Sequence, residues 1–154
     1  MTTVFLGLGS NRGDRKKNIL KAIKLLKESG QKVLRLSSLL ETKPYGYKKQ
    51  KKFLNAVVKL RTKLLPSELL ELCKKIEKKT GRTKSFRWGP REIDIDILFF
   101  GKEVIKSKKF TIPHSDLHNR NFVLTPLVEI APNFVHPVLK KRVSEMYSII
   151  QGEK

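Results

Sequence analysis

The sequence predicts an α+β sandwich, an antiparallel sheet with helices packed on it. Three observations carry that expectation. Between residues 4 and 100 the segments follow the order strand, helix, strand, strand, helix, strand. Each of the two helical stretches has one apolar stripe, which needs a sheet to cover it. The chain of 154 residues is 39% hydrophobic and 31% charged, which suits a single globular domain over 1–154 with a real core.

The first strand is read at residues 4–8, where Val4, Phe5, Leu6 and Leu8 imply burial on both faces. Gly9-Ser10-Asn11-Arg12-Gly13-Asp14 reads as a turn, with Asp14 as the helix N-cap and Ser10 or Asn11 as alternatives. Glycines 7, 9 and 13 match neither the dinucleotide spacing nor a P-loop, so they are read as a tight strand-to-helix turn. The first helix shows Ile19, Ala22, Ile23 and Leu26 on one face, and Gly30 stops it. One strand is expected over 32–41, then a long loop to residue 52, then a strand over 53–62. Asn55 shares a face of that strand with Phe53 and Val57. Pro66 opens the second helix, whose stripe is Leu69, Leu72, Cys73 and Ile76, and Gly81 ends it. Residues 82–90 form a second long loop, basic and aromatic. This order is the split βαβ pattern of a ferredoxin-like (βαββαβ) sandwich. Beyond it come a short hairpin through Val104-Ile105 and Phe110-Thr111-Ile112, a stretch over 119–131 expected to be helical in pieces around Pro126, and an end helix with Val143, Met146, Tyr147 and Ile150 on one face.

One stretch organises the chemistry: Arg87-Trp88-Gly89-Pro90-Arg91-Glu92-Ile93-Asp94-Ile95-Asp96. In a strand, Asp94 and Asp96 point the same way, roughly 7 Å apart at the Cα. Two carboxylates so spaced can share one hard cation or hold two. The same face is expected to continue through Leu98 and Phe100, so the acids sit at the end of a covered face rather than on a solvated one. Oxygen-only donors favour Mg²⁺. His114, His118 and His136 are too scattered, with one cysteine, for a zinc cage.

The net charge of +20 invites a nucleic-acid reading. The 34 basic residues divide into 25 Lys and 9 Arg, however, and the lysines are spread along the whole chain. Paired acids among the aromatics Phe53, Trp88 and Phe122 would repel a phosphate backbone unless metal were bound. Both points argue against a nucleic-acid partner. The lone Cys73 on an apolar helix face excludes an internal disulfide and fits a reducing, cytoplasmic setting. No apolar stretch approaches a membrane span.

The motifs Gly9-Ser10-Asn11, Thr42-Lys43-Pro44-Tyr45-Gly46, Phe53-Leu54-Asn55-Ala56, Gly-Pro-Arg-x-x-Asp-x-Asp at 89–96, Pro113-His114 and Arg120-Asn121-Phe122-Val123-Leu124 stand in one order along the chain. With them the chain resembles, end to end, the 6-hydroxymethyl-7,8-dihydropterin pyrophosphokinases of folate biosynthesis. The resemblance implies transfer of pyrophosphate from ATP to the pterin hydroxymethyl group with release of AMP. It implies two Mg²⁺ ions on Asp94 and Asp96. Arg91, His114 and Arg120 would contact the triphosphate, with Arg82, Lys84 and Arg87 closing over it and Arg82 and Arg91 serving catalysis. Ile97 and Thr111 would lie at the adenine. The pterin would stack between Phe53 and Phe122, with Asn55, Thr42, Pro44, Tyr45 and Gly46 along its edge and Trp88 as a cap. The partners implied are small molecules, and the chain reads as a monomer. Phe53 replaces a common tyrosine and Lys84 a common arginine, which removes a hydroxyl and a bidentate contact; Ser115 stands where some members have tyrosine. An alternative within the same class keeps the ATP site and takes another hydroxymethyl heterocycle.

Overall fold

A computed structural model describes residues 1–43, 49–81 and 92–152. Strand β1 (Thr2–Ser10) pairs antiparallel with β4 (Phe53–Thr62) on one side and with β5 (Asp94–Phe100) on the other. Strands β2 (Lys32–Leu36) and β3 (Leu40–Thr42) follow one another along the far side of β4, giving the order β2-β4-β1-β5. The apolar run of β1 explains its central place. Val4, Leu6 and Leu8 face one core, Phe5 faces the other, and none is more than 2% exposed.

Helices α1 (Arg15–Glu28) and α2 (Pro66–Lys79) cover the first face over Leu6, Ile19, Leu26, Leu60 and Ile76. Asp14 caps α1 by accepting the Lys17 amide at 3.1 Å, as its position predicts. Gly30 and Gly81, at φ +93° and +97°, end the two helices in the left-handed conformation that glycine adopts without strain. Helices α3 (Asn121–Ile130) and α4 (Val143–Gly152) cover the second face over Phe5, Val57, Phe99, Leu124 and Leu127. Between β5 and α3 lie a small hairpin of β6 (Ile105–Lys106) and β7 (Thr111–Ile112), a cis Ile112–Pro113 bond, and a single 3₁₀ turn at Leu117–Asn119.

Three expectations change. The single strand over 32–41 is two strands. Ser37 donates its amide to the Val57 carbonyl while its Oγ accepts the Val57 amide at 2.8 Å, so a side chain replaces one rung of the ladder and the chain steps outward over Ser38 and Leu39. Pro126 does not break its helix: α3 runs through it. The proline sits mid-helix and forfeits the bond its N–H would have made to the Phe122 carbonyl, and the burial of Val123, Leu124 and Leu127 outweighs that loss. Finally, the face of Asp94 and Asp96 does not continue to Phe100. Ile97 pairs with Leu6 and Phe99 with Phe5, so Leu98 is the extra residue of a β-bulge. Leu98 and Phe99 both enter the α3/α4 core, and Phe100 turns back to the α1/α2 core.

Candidate active site

The α3/α4 face of the sheet opens at the Asp94 end. Ile93, Ile95 and Ile97 belong to the α1/α2 core, so Asp94 and Asp96, which alternate with them, project toward the α3 side. Directly across β1 stand glycines: Asp94 pairs with Gly9 and Asp96 with Gly7. Across the next strand Gly9 pairs with Asn55 and Gly7 with Val57. Asp94 and Asn55 are thus two strand spacings apart, about 10 Å, with no side chain between them. The floor is tight. A methyl on Gly9 would stand 3.0 Å from Asn55 Oδ1 and 3.5 Å from Phe53 Cδ1, and one on Gly7 would meet Leu98 at 3.4 Å. Gly7 lies in β1, within the strand expected over 4–8, and Gly9 lies there too rather than in the turn expected of it; Gly13, at φ +70°, serves the turn.

Asn55 is 7% exposed and its orientation is fixed: Nδ2 donates to Thr42 Oγ1 across the β3–β4 pair. Its Oδ1 faces the glycine floor, ready to accept from a ligand's N–H. The half-buried Phe53 ring lies beside it.

The corner near Asp94 carries His114 and Arg120. The His114 amide donates to the carbonyl of the bulged Leu98 at 3.0 Å, which ties the segment after β7 to the edge of β5. Its Nδ1 is buried and without a hydrogen-bond partner among the described residues. Burial pushes the His114 pKa below the ordinary 6.5 and the Arg120 guanidinium lowers it further, against smaller upward pulls from Asp116 and Asp94. Both effects favour the neutral imidazole. Arg120, at the N-cap of α3, lies with Nε 3.7 Å from Asp116 and with its guanidinium 5.6 Å from the centre of the Phe122 ring.

Glu77 adds a role the sequence did not suggest. This buried α2 carboxylate accepts the amide of Ile95, the residue between the two aspartates, at 2.9 Å. Because β5 is an edge strand, that N–H points away from β1 and has no ladder partner. The signal was present in the sequence: Glu77 stands one turn beyond Cys73 on the apolar stripe of α2.

Of the residues singled out from the sequence, Asp94, Asp96, Asn55 and Phe53 come together on this face, with Thr42 behind Asn55. His114, Arg120 and Phe122 form its α3 side. Ile97 faces the opposite core, so a ligand would meet its backbone edge rather than its side chain. Thr111 is exposed on β7. Pro44, Tyr45, Gly46, Arg82, Lys84, Arg87, Trp88 and Arg91 lie outside the described residues.

Among the described residues no cluster of three or more His, Cys, Asp or Glu forms a closed metal cage. Two carboxylates on an open face fit Mg²⁺ well, because this ion keeps water and takes phosphate oxygens alongside one or two protein carboxylates. Paired oxygen donors, a histidine and an arginine beside a glycine-floored slot suit the class of metal-assisted transferases that act on phosphate groups.

Comparison with known proteins narrows the class. The family model described as 7,8-dihydro-6-hydroxymethylpterin-pyrophosphokinase (HPPK) matches residues 5–132, and the chain belongs to that family. It is 50% identical over 145 residues to the 2-amino-4-hydroxy-6-hydroxymethyldihydropteridine pyrophosphokinase of Aquifex aeolicus, covering 94% of this chain and 90% of the relative. The Bacillus subtilis protein of the same name is 46% identical over 127 residues, 82% of this chain and 76% of its own length. The chain spans only 25% of the folate synthesis bifunctional protein of Pisum sativum, to which it is 47% identical over 127 residues. Among solved structures, Plasmodium falciparum HPPK-DHPS with pteroate superposes with a TM-score of 0.78 at 18% identity, over 96% of this chain and 42% of that one. This last likeness bears on the fold alone.

Proposed function

We propose that this chain transfers pyrophosphate from ATP to the hydroxymethyl oxygen of 6-hydroxymethyl-7,8-dihydropterin, releasing AMP, as a step of folate biosynthesis. The observation that carries the reading is the row Asp94–Gly9–Asn55: a metal-type carboxylate and a fixed amide, separated by a bare floor about 10 Å wide, the size of a flat bicyclic ring.

In this reading Asp94 and Asp96 would hold the Mg²⁺, with two ions expected. Bound there, the metal would supply charge neutralisation and a lowered pKa for that hydroxyl. The hydroxyl gives up its proton to solvent and its oxygen forms a bond to the β-phosphorus, while the bond from that phosphorus to the bridging oxygen breaks and that oxygen leaves with the electron pair on AMP. The protein's share is positioning and electrostatic stabilisation. Arg120 and neutral His114 take the phosphate oxygens, joined by Arg91 and by Arg82, Lys84 and Arg87 of the 82–91 segment. The Ile97 backbone and Thr111 line the adenine. The heterocycle stacks on Phe53 and Phe122, with Asn55 Oδ1 accepting from its edge, the 42–46 segment alongside, and Trp88 as cover. The sheet order β2-β4-β1-β5 supports a ferredoxin-like classification. A reducing, cytoplasmic setting fits the lone buried Cys73, whose thiol pKa burial raises to about 12.

The decisive assay incubates protein, Mg²⁺, ATP and the hydroxymethyl dihydropterin and identifies the nucleotide released. One AMP per turnover is expected; ADP alone, or no turnover by folded protein, rejects the reading. Asp94→Asn and Asp96→Asn should each lower turnover by about two orders of magnitude or more, with urea midpoints near wild type. Near-full activity in both would reject the metal assignment.

A further inference from the structure

Helix α3 carries Phe122 and begins at Arg120, yet one of its strongest polar contacts lies at its opposite end. Glu129 reaches the connection between β2 and β3. Its Oε1 accepts the Ser38 amide at 2.6 Å, and its Oε2 accepts the Ser38 hydroxyl at 2.7 Å and the same amide at 3.2 Å. These bonds hold the Glu129 carboxyl below the usual glutamate range, first through the Ser38 hydroxyl and then through its amide. A helix of ten residues is about 15 Å long, close to the three strand spacings that separate β5 from β3. α3 therefore starts beside the His114–Asp94 corner and ends on the strand connection that leads into Thr42. Its start is held separately: Asn121 Oδ1 accepts from Gln151 of α4 at 2.7 Å.

Ser38 leads directly into β3, where Thr42 orients Asn55. The Glu129–Ser38 bond thus joins the element carrying one aromatic wall to the element carrying the hydrogen-bonding wall. The phosphate corner has its own supports, the His114–Leu98 amide bond and the Arg120–Asp116 pair. We propose that Glu129 is a positioning residue that, through Ser38, sets the gap between Phe122 and the Asn55–Phe53 edge and so tunes affinity for the flat heterocycle without comparable effect on the nucleotide. This rests on the reading of that gap as the pterin slot.

The test is equilibrium binding of the hydroxymethyl dihydropterin in the presence of Mg²⁺ and a non-transferable ATP analogue, with KM for both substrates alongside. Glu129→Ala should weaken pterin binding about fivefold or more while the nucleotide constant stays within about twofold. Glu129→Gln keeps the length and an acceptor for the Ser38 amide and should restore most of the affinity; Glu129→Asp is too short and should not. Ser38→Ala should weaken pterin binding in the same direction, and the double variant Ser38→Ala/Glu129→Ala should be no weaker than Glu129→Ala alone. Phe122→Ala is the control for the slot itself. If it weakens pterin binding while Glu129→Ala and Ser38→Ala do not, the positioning role is overturned and the slot stands. If Phe122→Ala has no effect either, the slot reading fails and the proposal falls with it. Equal loss for nucleotide and pterin would mark Glu129 as merely structural and also overturn it.

Discussion

Gly9 shows how little room one residue leaves. Its missing Cβ would sit 3.0 Å from Asn55 Oδ1, tighter than ordinary contact, whereas the Cβ of an alanine at 7 would meet Leu98 at 3.4 Å. Gly9→Ala should therefore fold but raise the KM for the heterocycle severalfold by displacing the Asn55 amide, and Gly7→Ala should perturb it much less. Equal effects from the two would mean that the floor at Gly9 is not where the ring lies. The histidines give a second test. His136 Nδ1 accepts the amides of Val138 and Leu139, both at 3.1 Å, and burial, with a smaller push from His118, lowers its pKa below the ordinary value. A histidine depressed in the folded state leaves stability intact above about pH 6.5 and loses it as the pH falls through the folded value. The urea midpoint should decline between about pH 7.5 and about pH 5, and His136→Asn, whose Oδ1 can replace Nδ1 as the acceptor, should decline less. Parallel curves would exclude His136 as the group responsible. The aspartate pair was legible because a strand has a period of two and Ile/Asp alternation marks it. Gly7 and Gly9 were not, because the meaning of a glycine in a strand depends on what stands across the sheet.

At the scale of elements, β5 is held by a helix as well as by a strand. Removing the Glu77 carboxylate leaves the Ile95 amide buried and unpaired, which costs about 2 kcal/mol. Glu77→Ala should lower unfolding free energy by that order and reduce turnover, since the freed amide lies between Asp94 and Asp96. Glu77→Gln, which keeps an acceptor oxygen, should retain most of both. Unchanged stability in Glu77→Ala would show that water replaces the carboxylate. Helices α1 and α2 were legible almost to the residue, because caps, stripes and terminal glycines are local signals. The break at Ser37 was not, since it depends on Val57, twenty positions away. Nor was the unbroken α3, where burial from another part of the chain decides against the local rule for Pro126.

Over the whole molecule the charge of +20 is distributed rather than focused, and α1 has no acidic residue in its first turn to offset its lysines. Such a surface repels itself and draws anions. Raising the salt from about 50 to about 300 mM should raise the melting temperature and slow the association of MgATP in stopped-flow measurements. A salt-independent association rate would mean that the distributed lysines do not guide the nucleotide. An antiparallel sheet with helices packed on it was legible from the order of elements, whereas the second helical layer, α3 and α4 on the opposite face, was not, and the two faces of β5 were assigned wrongly beyond Leu98.

That bulge has one more consequence. Upstream of Leu98 the alternation sets Asp94 and Asp96 opposite Ile95 and Ile97; downstream, Phe99 and Phe100 anchor two different cores. The strand therefore carries two separate phases joined at a single residue. Over evolutionary time, substitutions that repack the interior at one end need not rotate the acids at the other.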